Sequence, residues 1–242
     1  MKNLFVKLIR LIFRGNKMSN PKQELEKARK IIKKINVNIF RATWYSELYG
    51  RVALTKDRDI EIAFDNSFEA WGLKFSSEAL LDALVMVLMR IMYGDKENTA
   101  SLLSLMEILK KKGVFKLLEE ESDERKQKLP CELDQLQKMI NEIKGNHRLK
   151  QINTHRNTNI AHQVIEHDPK KHKMPKYEDP SKLLEEIIPV VVLCRDLLRD
   201  PSSNEPDYEK QMDGEIWMAK KTANEFWGYA AHLRKNLSRP EE

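Results

Sequence analysis

The sequence predicts an all-α fold, a helical bundle with long helices and an additional C-terminal helix. Two observations lead to this prediction. Glycine is scarce, at eight of 242 residues, while residues that favour helices, such as Leu, Glu, Lys, Ile and Ala, are abundant. Apolar residues also recur three and four positions apart, which places them on one face of a helix. With 41% apolar and 33% charged residues, the chain has the composition of a charge-rich globular protein.

Residues 1–17 form a short, basic, amphipathic segment with five Lys/Arg and no acidic residue. The segment is too short and too charged to cross a membrane, and it lacks the small-residue cleavage site of a signal peptide. Our preferred interpretation is that translation starts at Met18. The alternatives are that the segment lies on an anionic membrane surface or packs on the bundle.

The bundle itself is predicted over residues 18–200, and its first helix is expected from Asn20 to about Tyr49. Asn20 can cap the first turn, and Pro21 suits the first helical position. Gly50 favours an end of the helix at that point.

Residues 57–93 are predicted to be helical, either as one long helix or as a helix broken by a kink at Gly72, and the later part is expected to be the buried centre of the bundle. From Ala79 to Met92 it is apolar on nearly every side. Asp82 interrupts this run, and a carboxylate in such a place needs a partner. Either Asp82 lies at an edge and binds water, or it orients an Arg or His from elsewhere in the chain.

Further helices are predicted towards the middle of the chain. One is expected over residues 98–111, and the charge run Glu119–Lys128 is interpreted as a mobile connection. Pro130 then precedes a helix that should begin at Cys131 and continue to about Glu166.

Two helices complete the prediction. One runs from Asp179 to about Arg199, with a kink expected at Pro189. Residues 201–242 are interpreted as a linker followed by a C-terminal helix, over about residues 207–236, that packs on the bundle.

Basic residues are concentrated in the central part of the chain. Between Lys144 and Lys176 there are eight Lys/Arg and two acidic residues, so this segment alone has a net charge of +6, equal to that of the whole chain. A local positive field of this kind favours a polyanion such as nucleic acid. The alternative is a solvated basic face without a partner. The residues predicted to contact RNA are Arg148, Lys150, His155, Asn159, Lys170 and Lys171.

The sequence predicts no cofactor and no metal. Cys131 and Cys194 lie far apart and are expected to be reduced thiols of a cytoplasmic protein. Five histidines fall within the basic segment, and the last four of them are His155, His162, His167 and His172. Their intervals of seven, five and five residues do not match a zinc enzyme.

Arg156, Asn157 and His162 form either a catalytic centre or a polar patch on the helical bundle, and their residue types fit RNA cleavage without a metal. In that reaction the ribose 2′-hydroxyl attacks the adjacent phosphate, so one group must accept a proton and another must stabilise the charge on the phosphorane. Histidine suits the first task and arginine the second. Asn157 can hold Arg156 or bind the phosphate.

An ideal helix does not bring Arg156 and His162 to one point. Six residues separate them by roughly 9 Å along the helix axis and by about 120° around it. A local distortion of the helix would narrow this gap. A second subunit could instead complete the site by bringing its own copy of the motif alongside.

The chain resembles the HEPN superfamily, and within it the abortive-infection U-type branch. The HEPN signature is an Arg, often followed by a polar residue, with a His four to six residues later, as in Arg156-Asn157 and His162. Two further segments match in order, Leu80-Leu81-Asp82-Ala83-Leu84 and Leu102-Leu103-Ser104-Leu105. The resemblance covers roughly residues 20–200.

This resemblance implies a HEPN-like bundle that forms a homodimer and places two copies of the motif in a shared cleft. Many such proteins are metal-independent endoribonucleases that act as toxins in phage defence or toxin–antitoxin systems. It implies that Arg156 binds the phosphate, Asn157 assists, and His162 is the acid/base residue, with 2′,3′-cyclic phosphate products. The implied partners are RNA, a second copy of the chain and an antitoxin. The alternative is a catalytically silent HEPN module that binds RNA or a protein.

The sequence departs from the family pattern at three places. The branch often has an acidic residue shortly after the motif His, but Gln163 follows His162. Val164 occupies the position where some HEPN toxins carry a Tyr that a partner nucleotidyltransferase modifies, so this mode of neutralisation is not expected. His155 is additional, and it is either a second acid/base or, as we favour, an exposed polar residue.

Overall fold

The computed structural model describes residues 20–53, 68–94, 100–161, 176, 178–200 and 208–237. Every regular element within these ranges is helical and none is a strand, which confirms the predicted all-α fold. The predictions for residues 1–17 and for the linker 201–206 lie outside the described residues. No helix in the described part of the chain is long and apolar enough to cross a membrane.

The helices are, in chain order, α1 (Pro21–Ala53), α2 (Phe68–Tyr93), α3 (Leu102–Leu109), α4 (Lys112–Glu119), α5 (Asp123–Gly145), α6 (His147–His155), α7 (Asp179–Leu198) and α8 (Tyr208–Leu237). A π-helical segment, Arg156–Ala161, follows α6 directly. Helix α1 is the centre of the bundle, since it packs against α2, α7, α8 and the short helices α3 and α4.

The core forms where α1 faces α2, and the predicted burial of the later part of α2 is confirmed. Among the described side chains of α2, seven apolar ones are buried: Leu84, Val85, Val87, Leu88, Met89, Ile91 and Met92. From α1, Ile31, Ile35 and Ile39 recur at helical spacing and are buried as well. Burial of such side chains is the main stabilising contribution to a fold of this kind.

The prediction that α1 ends at Gly50 is wrong, because the helix continues to Ala53. Packing accounts for the difference. Tyr49 is buried, and the Trp227 indole Nε1 of α8 donates a hydrogen bond to the Leu48 carbonyl at 3.1 Å. These contacts hold the last turns of α1 helical, and they outweigh the preference of about 1 kcal/mol that disfavours Gly inside a helix.

The prediction that Glu119–Lys128 is a mobile connection is also wrong, because α5 already begins at Asp123. The Ser122 hydroxyl caps this helix by accepting a hydrogen bond from the Arg125 backbone N–H at 3.1 Å. Acidic side chains in the first turn interact favourably with the helix dipole. Pro130 therefore lies inside α5 and does not precede the helix.

One of the predicted helices ends early and another is interrupted. The helix expected over residues 98–111 ends early and is followed by α4, and the helix expected over 131–166 breaks at Asn146. Asn146 has an extended backbone, and its side chain accepts the Arg148 backbone N–H at 2.9 Å. Its amide nitrogen also donates to Glu186 of α7 at 2.8 Å. A contact with a distant helix therefore stabilises the break.

Cys131 and Cys194 are unpaired thiols, as expected. Burial raises the pKa of the Cys194 thiol far above its usual range, whereas Cys131 is exposed. We therefore expect iodoacetamide at neutral pH to alkylate Cys131 in the native protein and Cys194 only after unfolding. Peptide mass spectrometry would measure both, with Cys131→Ser as the control that abolishes native labelling. Alkylation of both thiols at similar rates in the native protein would contradict this prediction.

Candidate functional site

The motif predicted from the sequence begins where α6 changes into the π-helical segment. Helix α6 ends at His155, and Arg156 is the first residue of the segment Arg156–Ala161. Short π-helical segments are rare and occur frequently at functional sites. The helix is therefore locally distorted at the motif. His162 lies outside the described residues, so the gap between its imidazole and Arg156 stays a prediction.

Two threonine hydroxyls bond back to the helix at this transition. Thr154 Oγ1 donates to the Lys150 carbonyl and Thr158 Oγ1 donates to the Thr154 carbonyl, each at 2.9 Å. Back-bonding of this kind competes with the helix ladder and often bends helices. The Arg156 backbone N–H bonds to the carbonyls of Ile152 and Asn153. Neither threonine is among the site residues predicted from the sequence, although their spacing of four residues is a visible signal.

His155 is buried and pairs with Asp82 of α2. His155 Nε2 lies 3.1 Å from Asp82 Oδ1, and the two side chains are 7% and 46% exposed. The hypothesis that Asp82 orients an Arg or His from elsewhere is thus confirmed, with His155 as the residue. The interpretation of His155 as an exposed polar residue is wrong, because its ring completes the buried face of α6. An RNA contact by this imidazole would require it to leave Asp82.

Arg156 and Asn157 are both partly exposed, so a ligand can reach them from solvent. No carboxylate among the described residues forms an ion pair with Arg156. Its guanidinium is a permanent cation with planar donors that match two oxygens of a phosphate. Asn159 contributes its backbone to the π-helical segment. This short surface therefore offers a cation and an amide side by side.

Arg148, predicted to contact RNA, is instead held by two carboxylates of α7. Its guanidinium pairs with Glu186 through Nη1 and lies 3.4 Å from Asp179 Oδ1 through Nε. Asp179 is buried and also accepts the Lys176 backbone N–H at 2.7 Å. Arg148 therefore attaches the start of α6 to α7, and it adds less to the positive field than the charge count suggested.

The other predicted RNA contacts divide into two groups. Lys150 is exposed on α6 and is available to an approaching polyanion. Lys170 and Lys171 lie outside the described residues. In the described part of the chain, no group of His, Cys, Asp and Glu side chains is arranged to hold a metal ion.

Comparison with protein families matches residues 22–215 to the HEPN family described as AbiU2. The matched range includes α1 to α7, the Arg156-Asn157 pair and His162, and it reaches into α8. Neither the curated proteins nor the solved structures include a significant match. Since the match covers most of the chain and agrees with the all-α architecture, this protein belongs to the AbiU2 family of HEPN proteins.

Proposed function

We propose that this protein is a metal-independent endoribonuclease of the HEPN type that acts as a toxin or phage-defence effector. One observation carries the proposal. Arg156 and Asn157 are partly exposed at the start of a π-helical segment, directly after His155, whose side chain contacts Asp82 of α2. A cation and an amide held in a rare backbone conformation suit the binding of a phosphodiester. Membership of a HEPN family supports the assignment.

In the proposed reaction, the ribose 2′-hydroxyl attacks the adjacent phosphorus and displaces the 5′-oxygen of the following nucleotide. The products are a 2′,3′-cyclic phosphate and a 5′-hydroxyl, and no net proton is gained or lost. His162 takes the proton from the 2′-hydroxyl, and a second His162, from another subunit, protonates the leaving oxygen. Neutral and protonated imidazole coexist near pH 7, so one residue type can perform both tasks.

Arg156 stabilises the transition state by binding two non-bridging oxygens of the phosphorane through its planar donors. Asn157 donates its amide N–H to the same phosphate. Lys150, exposed on α6, attracts the RNA backbone without reading its sequence. The active site forms in a cleft shared by two copies of the chain, an arrangement that the resemblance to HEPN proteins implies. The π-helical segment distorts the helix between Arg156 and His162, so the ideal-helix separation within one chain does not decide this point.

Incubation of the purified protein with single-stranded RNA in EDTA tests this proposal. We expect fragments with cyclic phosphate and 5′-hydroxyl ends, identified by mass spectrometry, and a dimer of 28.5 kDa chains by light scattering. Cleavage that requires a divalent metal would contradict the mechanism, and a monomer that is fully active would contradict the shared cleft. RNA binding that weakens steeply with salt, without cleavage, would instead identify a catalytically silent RNA-binding module.

A further inference from the structure

We propose that Asp82 and His155 are positioning residues that hold the start of the π-helical segment in the orientation in which Arg156 and Asn157 meet the RNA phosphate. The catalytic part of this proposal rests on the proposed ribonuclease function. The geometric part rests on the contact between the two side chains and is tested separately.

The buried face of α6 shows why a histidine at position 155 is informative. Leu149, Ile152 and His155 follow at intervals of three residues, and all three are buried. A leucine at position 155 would continue the apolar face and would need no partner. Burial of an imidazole without a hydrogen-bonding partner is unfavourable, and here the Asp82 carboxylate supplies that partner. The pair adds a directional contact that apolar packing alone does not provide.

The His155–Asp82 contact matters for the motif because of where the pair lies. His155 is the last residue of α6, and the peptide bond that follows it leads into the π-helical segment. Asp82 belongs to α2, and Val85 and Leu88, which follow it at intervals of three residues, are buried in the core. The pair therefore connects the point where α geometry changes to π geometry with a helix whose later part is buried in the core.

The start of α6 is held independently of this pair. Arg148 forms an ion pair with Glu186 of α7, and the Asn146 side-chain amide donates a hydrogen bond to the same carboxylate. Helix α6 is thus attached to α7 at its start and to α2 at its end. With both ends held, the rotation of α6 about its axis is set, and so is the direction in which the next residue, Arg156, leaves it. Loss of the Asp82 contact releases only the end that carries the motif.

A direct catalytic role for His155 fits the structure less well. Its side chain is 7% exposed, and Nε2 is directed at Asp82 Oδ1 at 3.1 Å. A general base must come within hydrogen-bonding distance of the proton that it removes. RNA at the partly exposed Arg156 would not reach this buried nitrogen, so His155 acts through the backbone that follows it.

The test compares Asp82→Ala, which removes the contact, with Asp82→Asn, which keeps an oxygen that accepts from His155. Since Asp82 is 46% exposed, its truncation leaves little empty space in the core, and both variants should keep the circular dichroism of the wild type. Glu78→Ala is the matched control, because it removes an exposed carboxylate one turn earlier on the same helix. Cleavage kinetics and hydrogen exchange of the amides at 156–161 are measured for each.

We expect Asp82→Ala to lower kcat by about 10- to 100-fold with KM nearly unchanged, consistent with misplacement of a catalytic group. Exchange at residues 156–161 should become faster, while Asp82→Asn and Glu78→Ala stay close to the wild type in both measurements. A loss in Asp82→Asn as large as in Asp82→Ala would overturn the proposal, as would faster exchange with an unchanged kcat. If the wild type cleaves no RNA, the ribonuclease function fails, and unchanged exchange in Asp82→Ala would then overturn the geometric part on its own.

Discussion

Arg156→Ala is expected to lower the rate of RNA cleavage by about 10²–10³-fold while the helical content stays unchanged. The substitution removes the fixed cation that stabilises the phosphorane. The fold should tolerate it, because the Arg156 side chain is partly exposed and forms no ion pair with the described carboxylates. Arg156→Lys should recover only part of the rate, since an ammonium group lacks the planar pair of donors that binds two phosphate oxygens. Single-turnover cleavage of a labelled RNA measures the rate of the chemical step.

His162→Ala is expected to cause a loss of similar size, about 10²–10⁴-fold, through removal of the acid/base group. Lys150→Ala is the matched control for both variants. It removes an exposed cation from the same basic segment, so it should weaken RNA binding modestly. The slope of log K for RNA binding against log salt concentration should decrease in magnitude by about one. The rate of the chemical step should change little. Unchanged cleavage in both the Arg156 and the His162 variants would rule out the proposed site.

Leu88→Ala is expected to lower the free energy of unfolding by about 2–5 kcal/mol, because it leaves a cavity in the core between α1 and α2. Leu88 is fully buried on α2. For a chain of this size, the loss corresponds to a decrease in Tm of roughly 5–15 °C. Thermal unfolding followed by circular dichroism measures the shift.

Val37→Ala is the matched control for this stability prediction. Val37 is 49% exposed on α1, and Ala has the higher helix propensity, so the free energy of unfolding should change by less than about 0.5 kcal/mol. Equal decreases in Tm for the two variants would contradict the placement of Leu88 in the core.

Local sequence patterns predicted much of the fold because the effects that they report are local. The apolar run from Ala79 to Met92 predicted the burial of the later part of α2, since a helix that is apolar on most sides must be buried. The start of α1 at Pro21 followed from Asn20, whose side chain accepts the Lys22 backbone N–H at 3.0 Å. Capping of this kind depends on neighbouring residues alone.

The incorrect boundaries have a common cause in contacts between segments that are distant in the sequence. Gly50 does not end α1, because α8 packs there through Trp227. The helix around residue 146 breaks where Asn146 meets Glu186, forty residues away. Propensities of about 1 kcal/mol or less per residue are easily outweighed by such contacts. The start of α5 at Asp123 has a different cause. It depends on the cap at Ser122, which is a local signal that the sequence itself contains.

At the candidate site, the sequence by itself determined the Arg156-Asn157 pair, the His162 that follows it, and the family to which they belong, because the signature consists of residue types at a fixed spacing. It also predicted that Asp82 needs a partner, since a carboxylate within an apolar run is unfavourable without one. Only the tertiary structure decided that His155 is that partner, that Arg148 is held by α7, and that the motif begins in a π-helical segment. These three features depend on which helices pack together. Packing brings together residues that are far apart in the sequence, and no periodic pattern in the sequence indicates which of them meet.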